Sequence, residues 1–382
     1  MQLGFVADRL DRVIDAISSD VASGWYYGAN VIAARHGVVE LDVSIGHGDA
    51  QKELPLRADS VFSVFSITKA FINVLVLDAI ERGRFALTTP MAQLIPEFAG
   101  EPRERATIFH FLTHTTGMPA VWVPEAGVPY DRLDVAVEAV CRLVHGAVEP
   151  GSRCDYSPMA NHVLLAEAVR RTDPRGRSIR DILREDLFDP LGMIDTDLGV
   201  GPSTRDRHIV PDLRGVIPTA HLSSENDDRN GLFTASRNEA TWVGASTSAG
   251  DLHRFAEMLR NEGSLDGVRI LSPRTVALAR RNWTGELPNE LYRTVALRAG
   301  YEPPPAYLGL GFSVRGDKLV RHQFGTLTTP ETFGNYGAGS ALYWIDPQAD
   351  ITFVALTTGL LDQARNIDRF QRLSDLVVAA AE

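Results

Sequence analysis

The sequence predicts an α+β fold: an α/β sandwich with an antiparallel sheet flanked by helices, plus a mostly helical lobe. Two β-branched segments near the N-terminus, 29–35 and 38–46, are joined by a hairpin signal. Strand-like segments return after residue 309, whereas most segments between 66 and 195 carry apolar residues at helical spacing. Strands at both ends and helices between them favour one sheet built from both termini, with a site in the cleft beside the helical lobe.

The predicted division places residues 1–65 and 241–382 in the α/β domain and residues 66–240 in the helical lobe. Part of this lobe, 200–240, is rich in Pro, Gly, Asp, Asn, Ser and Arg, and connections of that length are usually functional or disordered. Helices are predicted at 5–22, 66–82, 107–117, 131–145, 160–171, 178–188, 252–261 and 363–380. Later strands are predicted at 309–314, 319–322, 340–345 and 351–356.

The composition argues against several classes of partner. The 382-residue chain has a net charge of −11, which disfavours nucleic acid or an anionic membrane as the main partner. No signal-peptide pattern and no apolar run of membrane-spanning length is found, so a cytoplasmic protein is expected. Cys141 and Cys154 lack disulfide-framework and metal-ligand spacing and are expected to be apolar fillers. No metal or cofactor motif is recognised, so neither is predicted, and the oligomeric state is left open.

The chemistry is predicted to centre on Ser66 and Lys69, at the start of a long apolar segment. Residues three apart lie on one face of a helix, about one turn from each other. A serine hydroxyl needs a neighbouring base, and a lysine can be that base where burial lowers its pKa. The chain holds 38 Lys and Arg residues, of which three are lysines, and arginine is too basic to accept a proton. A lysine in this apolar helix therefore indicates a catalytic amine.

These residues and others resemble the serine β-lactamase and penicillin-binding-protein-like superfamily. Its class C-like branch, with class C β-lactamases, family VIII esterases and D-aminopeptidases, is the nearest match, over about Leu10 to Leu356. The motifs, in chain order, are Ser66-Ile67-Thr68-Lys69, Phe111-Leu112-Thr113-His114-Thr115-Thr116-Gly117-Met118, Pro150-Gly151 with Tyr156-Ser157, Pro190-Leu191-Gly192-Met193, Ser246-Thr247 with Asp251-Leu252, Leu308-Gly309-Leu310-Gly311-Phe312, and Gly334-Asn335-Tyr336-Gly337-Ala338-Gly339-Ser340. The resemblance implies a β-lactamase/transpeptidase-like fold.

The resemblance also implies roles for residues outside the first motif. Tyr156 would share base duty with Lys69, the two titrating as a unit, and the backbone N–H groups of Ser66 and Ala338 would form the oxyanion hole. Asn335, Tyr336 and Gly337 would bind substrate. Four aromatic residues in flanking segments are candidates for an acyl pocket, with core packing as the alternative for the last: Trp122, Tyr130, Phe233 and Trp242.

Two departures from the family pattern bear on the substrate. Pro158 stands where motif two usually has Asn, and Asn335 stands where motif three usually begins with Lys or His. Asn161 need not compensate for the asparagine that is missing at Pro158. Because Asn335 stands in place of Lys or His, the cation that would bind a substrate carboxylate is absent. Both losses favour neutral esters or amides. A structural role is expected for His114, and structural or surface roles for His110, His162, His221 and His322.

The predicted function is that of a serine hydrolase that forms an acyl-enzyme on Ser66. It is expected to be an esterase whose substrate is a small neutral ester or amide. Two alternatives use the same acyl-enzyme: acyl transfer to an alcohol or amine, and D-aminopeptidase or β-lactamase activity. A third alternative is a catalytically inactive binding protein. The presence of Ser66, Lys69 and Tyr156 together argues against it, since binding alone would not require that triplet.

Overall fold

The protein is described by a computed structural model over residues 4–49, 51, 54–212, 231–338, 340–359 and 363–382. The helices there are α1 (Ala7–Ala22), α2 (Thr68–Glu81), α3 (Met91–Leu94), α4 (Ile108–Leu112), α5 (Leu133–Leu143), α6 (Ala160–Arg171), α7 (Ile179–Leu183), α8 (Gly231–Thr234), α9 (Ala249–Arg260), α10 (Pro273–Ala279), α11 (Glu290–Ala299) and α12 (Gln363–Ala380). The strands are β1 (Gly28–Arg35), β2 (Val38–Gly46), β3 (Val61–Ser63), β4 (Asp197–Leu198), β5 (His208–Ile209), β6 (Ala245–Ser248), β7 (Ser264–Leu265), β8 (Val268–Arg269), β9 (Ser313–Val314), β10 (Phe333–Gly337), β11 (Ala341–Asp346) and β12 (Ile351–Thr357).

The main sheet joins the two ends of the chain, as predicted. Its six strands run in the order β2-β1-β12-β11-β10-β9, and all of its neighbouring pairs are antiparallel. Strand β1 pairs with β12, so residues more than 300 positions apart in sequence lie side by side. The α+β fold predicted from strands at both termini is therefore confirmed.

Alternation along the strands supplies a core to each face of this sheet. Val31 and its partner Ala355 pack in the cluster that contains residues of α1 and α12. The next pair, Ile32 and Val354, belongs to the larger cluster on the opposite face, which includes α2 and α9. Because successive strand side chains point to opposite faces, strands covered on both sides are buried throughout and mostly apolar, as β11 and β12 are.

Helix α2 is the centre of the helical lobe. Every residue from Thr68 to Ala79 is buried, and the helix contacts α6 and α7. A helix that is buried on all sides needs apolar residues on all sides, which explains the predominantly apolar segment after Lys69. The helix ends at Glu81, and Gly83, with a φ of +70°, provides the left-handed conformation common after a helix.

A second sheet carries the chain into α2. Strand β3 pairs antiparallel with β6 and parallel with β5, and β4 completes the order β4-β6-β3-β5. The chain leaves β3 at Ser63 and reaches Ser66 within three residues. The division of the chain into lobes at 65/66 and 240/241 stays a prediction.

The element predictions failed where the apolar pattern was short. Residues 319–322 form no strand, and Leu319 is 81% exposed, so that prediction was wrong. The strand predicted at 309–314 is regular only over its last two residues, in β9. Helices α10 and α11 were missed, while α6 and α12 have the predicted bounds. Residues 213–230, with His221, lie outside the described residues. Among the described helices, none combines the length and hydropathy needed to cross a membrane.

A partly buried histidine in the second sheet predicts a pH-dependent stability. The Nε2 atom of His208 lies 2.9 Å from Oγ of Ser63, and burial lowers the pKa of His208 to about 4. Between about pH 4 and 6.5 the unfolded chain therefore binds a proton at His208 that the folded chain does not bind. The stability that neutral His208 contributes is complete above about pH 6.5 and is lost as the pH falls toward 4. We expect His208→Gln, which keeps a polar group at Nε2, to remove roughly 3 kcal/mol of the pH-dependent change in unfolding free energy.

Urea unfolding at a series of pH values measures this contribution, and His145→Gln, at an exposed histidine, is the control. An unchanged pH slope in His208→Gln would contradict the assignment.

Candidate active site

Ser66 is presented by a strained turn between β3 and α2. The preceding residue, Phe65, is buried and has a φ of +48°, a conformation that costs a bulky side chain roughly 1–3 kcal/mol. Its ring packs edge-on against Phe233, with centroids 4.9 Å apart. Thr68 donates to the Phe65 carbonyl at 2.6 Å and accepts from the Ala245 N–H at 2.9 Å. These contacts tie the turn to β6 and hold its conformation.

Two predicted partners meet at the Ser66 hydroxyl. The Nζ atom of Lys69 and the phenolic oxygen of Tyr156 each lie 2.9 Å from Ser66 Oγ. Lys69 also donates to the backbone carbonyl of Trp242 at 2.7 Å. The Lys69 Nζ atom is 5.3 Å from the centre of the Tyr156 ring. The structure thus brings together a nucleophile, an amine and a phenol from motifs 90 residues apart.

The surroundings of this trio disfavour charge. Lys69 is 3% exposed, and burial lowers its pKa well below the ordinary value. Burial also raises the pKa of Tyr156, an effect that outweighs its hydrogen bond to Ser66. Desolvation therefore acts against both the ammonium and the tyrosinate, and favours a neutral amine beside a neutral phenol. A neutral amine can accept the serine proton.

The end of β10 lies against the turn that presents Ser66. A Cβ atom on Gly337 would fall 2.1 Å from the carbonyl oxygen of Val64, so only glycine permits this approach. Ala338 follows with a φ of +39°. Gly339 lies outside the described residues. The close contact places the end of β10 beside the segment Phe65–Ile67, while the oxyanion-hole role of the Ser66 and Ala338 N–H groups stays a prediction.

Asn335 lines a cavity that Ser66, Lys69 and Tyr156 also line. Its side chain is also hydrogen-bonded within the protein. It donates to the Gly311 carbonyl at 3.2 Å and accepts from the Tyr343 hydroxyl at 2.8 Å. One amide N–H remains beyond these two bonds. Tyr336, the next residue, also lines the cavity. Their substrate-binding roles stay predictions.

The four aromatic candidates for an acyl pocket lie away from the described lining of this cavity. Trp122 is 46% exposed, whereas Tyr130, Phe233 and Trp242 are buried in the core. Trp242 instead contributes its backbone carbonyl to Lys69, a role that no side-chain pattern indicates. The Tyr130 hydroxyl accepts from the Glu125 N–H at 3.0 Å.

Several cavity residues were not predicted as site residues. The cavity has a volume of about 70 Å³ and includes Asn289, Tyr292 and two buried histidines, His114 and His162. The Nε2 atom of His162 lies 2.9 Å from Oδ1 of Asn73. Burial, with Lys69 nearby, lowers the pKa of both histidines, that of His114 to about 3. His114 belongs to the motif 111–118, from which a structural role was expected. Asn289 and Tyr292 belong to no recognised motif, so no sequence signal pointed to them.

Asn161 does not replace the motif-two asparagine whose position is occupied by Pro158. Its side chain donates to the Phe111 carbonyl at 2.9 Å, and its backbone N–H donates to Ser157 Oγ at 3.1 Å. It is fully buried and is not part of the described cavity lining. The amide usual in motif two is therefore missing from the cavity.

Comparison with known proteins shows the family to which this chain belongs. The chain belongs to the Beta-lactamase family, whose sequence model matches residues 13–376. It is 30% identical over 312 residues to esterase EstB from Burkholderia gladioli, a match that covers 73% of this chain and 75% of EstB. The resemblance inferred from the motifs is confirmed, and the chain is a serine hydrolase of the β-lactamase and penicillin-binding protein superfamily.

Two solved structures share the fold over nearly the whole chain. A penicillin-binding protein homologue from Caulobacter crescentus has a TM-score of 0.79 at 24% identity and covers 99% of both chains. A family VIII carboxylesterase has a TM-score of 0.75 at 22% identity and covers 97% of this chain and 99% of its own. These likenesses confirm the β-lactamase/transpeptidase-like fold.

The buried amine predicts the pH dependence of serine acylation. Since burial lowers the pKa of Lys69, the neutral base forms at a lower pH than for an ordinary lysine. We expect the acylation rate to rise with pH along a limb that lies well below pH 10.5. Lys69→Arg, which puts a permanent cation that cannot accept a proton in place of the neutral amine, should lose about 100- to 10,000-fold in rate. Stopped-flow acylation with p-nitrophenyl acetate measures both, and activity of Lys69→Arg near the wild-type level would exclude Lys69 as the base.

The contact at Gly337 predicts a site that a single methyl group disrupts. Gly337→Ala must separate β10 from the turn before Ser66, at a cost of roughly 1–3 kcal/mol and most of the acylation rate. Gly250→Ala is the matched control, because a Cβ there meets its nearest atom at 4.0 Å on an exposed part of α9. Melting temperature and acylation rate are measured for both. Equal behaviour of the two variants would show that the close approach is unimportant.

Proposed function

We propose that this serine hydrolase is an esterase that acts on small neutral carboxylic esters through an acyl-enzyme on Ser66. The observation that carries the proposal is the meeting of the Lys69 amine and the Tyr156 phenol at Ser66 Oγ, both at 2.9 Å. The similarity to esterase EstB supports the same reaction class.

In the proposed acylation, Ser66 Oγ attacks the ester carbonyl and its proton passes to the Lys69 amine. The N–H groups of Ser66 and Ala338 donate to the oxygen that becomes negative. As the tetrahedral intermediate collapses, the bond to the alcohol oxygen breaks, and the proton passes from Lys69 by way of the Tyr156 hydroxyl to that oxygen. The alcohol leaves, and the acyl group remains on Ser66.

Deacylation repeats these steps with water as the nucleophile. Water loses its proton to the Lys69–Tyr156 pair as it attacks the acyl carbonyl, and Ser66 Oγ recovers that proton when the acid departs. The products are one carboxylic acid and one alcohol for each ester and water consumed. The pair is returned to its starting protonation state.

The preference for neutral substrates is supported by the residue at the start of motif three. Asn335 carries no charge, and its amide is already bonded to Gly311 and Tyr343. A substrate carboxylate there would lose water without gaining an ionic partner, which is unfavourable. The cavity volume of about 70 Å³ favours a small acyl group.

The esterase proposal predicts a trapped adduct and a charge preference. We expect p-nitrophenyl acetate and butyrate to be hydrolysed, with the acyl mass on the Ser66 peptide, and Ser66→Ala to lose both turnover and adduct. The mono-p-nitrophenyl ester of succinic acid should react more slowly than the butyrate, and Asn335→Lys should narrow that difference.

Mass spectrometry and steady-state kinetics test these statements separately. Absence of turnover and adduct in the wild type would exclude the esterase function. Turnover that persists in Ser66→Ala would exclude Ser66 as nucleophile. Faster hydrolysis of the anionic ester, or of a β-lactam, than of the butyrate would overturn the neutral substrate class.

A further inference from the structure

We propose that His114 is a positioning residue for the reaction, holding the segment Asp155–Ser157 so that the Tyr156 hydroxyl reaches Ser66. The inference rests on the proposed function in that it assigns Tyr156 a part in proton transfer. It adds a residue to the machinery that neither the residue pattern nor the motif resemblance assigned to it.

Three contacts from His114 bracket Tyr156. Its backbone carbonyl accepts from the Asp155 N–H at 2.9 Å, and its Nδ1 atom accepts from the Ser157 N–H at 3.0 Å. Between these two bonds the imidazole lies against the Tyr156 ring, with centroids 4.8 Å apart and planes inclined by 31°. A single residue therefore fixes the backbone on both sides of Tyr156 and one face of its ring.

The contacts define the state of the imidazole. Because Nδ1 accepts from a backbone N–H, the ring proton resides on Nε2 and the ring is neutral. Burial and the nearby Lys69 lower the pKa of His114 to about 3, so this state persists through the neutral range. Protonation would replace the acceptor with a donor that faces another N–H group. His114 thus acts by geometry and takes up no proton during the reaction.

His114 is itself held in an uncommon backbone conformation. Its φ is +54°, in the left-handed region that favours glycine and asparagine. The amide nitrogen of Asn161, on α6, lies 3.3 Å from the same Nδ1 atom, and that amide also donates to the Phe111 carbonyl. A strained residue persists where its surroundings determine it and is often found at functional sites. This backbone conformation of His114 directs both its carbonyl and its ring toward the segment that carries Tyr156.

Pro158 and Asn289 complete the support of this segment. A proline restricts the residue before it to extended conformations, which applies to Ser157. From the opposite side, Oδ1 of the buried Asn289 accepts from the Tyr156 N–H at 3.2 Å, and Glu290 N–H donates to the Cys154 carbonyl at 3.0 Å. The family's usual motif-two asparagine is absent, and these backbone contacts keep Tyr156 in place without it.

Two variants that both tolerate a positive φ test the side chain apart from the backbone strain. His114→Gly removes ring and acceptor, whereas His114→Asn keeps an acceptor near the Nδ1 position. We expect His114→Gly to slow Ser66 labelling by a fluorophosphonate about a hundredfold, as for a small misplacement of a reacting group. His114→Asn should recover most of this loss. His208→Gln, at a histidine that contacts Ser63 and not the Tyr156 segment, should label at the wild-type rate.

A double-mutant cycle with Tyr156→Phe separates positioning from general stability. If His114 acts through Tyr156, His114→Gly adds little further loss when the phenol is already gone. Equal losses in both backgrounds, or a His114→Asn variant as slow as His114→Gly, would overturn the proposal. The labelling rate requires no ester turnover, so this result stays distinct from a failure of the esterase function.

The crystal structure of His114→Gly gives a readout that requires no activity. The proposal predicts that the Tyr156 hydroxyl moves out of hydrogen-bond distance of Ser66 Oγ, from its present 2.9 Å. Retention of that distance in the variant would refute the positioning role. Circular dichroism on the same preparation confirms that the variant is folded.

Discussion

The burial of the Lys69 amine is the constraint on which the rest of the site depends. Among the described residues, its hydrogen-bond partners are two neutral oxygens, the Ser66 hydroxyl and the Trp242 carbonyl. An ammonium ion in such a place lacks both water and a counter-ion, which is why its pKa falls. Helix α2, which carries Lys69 and is buried from Thr68 to Ala79, is therefore more than a core element. In the proposed mechanism, this burial gives Lys69 the neutral amine that a base requires.

Three of the eight described non-glycine residues with a positive φ belong to the elements that build the site. Phe65, His114 and Ala338 all have positive φ without being glycine, and they flank the nucleophile, direct the Tyr156 segment and end β10, respectively. Each is held by contacts with a different part of the fold. Such conformations cost free energy and persist only where packing determines them. The apolar cores on both faces of the main sheet supply the stability that offsets this cost.

The sequence indicated the chemistry at Ser66 better than the support around it. A spacing of three residues places Lys69 beside Ser66 by helix geometry alone, and the motif order placed Tyr156 with them. Contacts that depend on backbone atoms, such as the Trp242 carbonyl, leave no mark on residue patterns. Asn289 was missed for a related reason, because its partner is a backbone N–H of a segment 133 residues away. Residues 319–322 were misread because four residues of mixed polarity are too few to show a strand period.

In the proposed reaction, the cavity near Ser66 would stabilise charge with dipoles and not with fixed ions. Lys69, His114 and His162 are all displaced toward their neutral forms by burial, and Asn335 is neutral by chemistry. Arg321, which also lines the cavity, is paired with Asp368 and lies 4.8 Å from the Tyr301 ring. A negative oxygen that forms during the reaction would then be stabilised by backbone N–H groups, which need no reorganisation. A carboxylate present before the reaction would gain less, since dipoles aimed at one oxygen cannot replace its whole hydration shell. The neutral surroundings that favour the amine form of Lys69 therefore also support the proposed preference for an uncharged substrate.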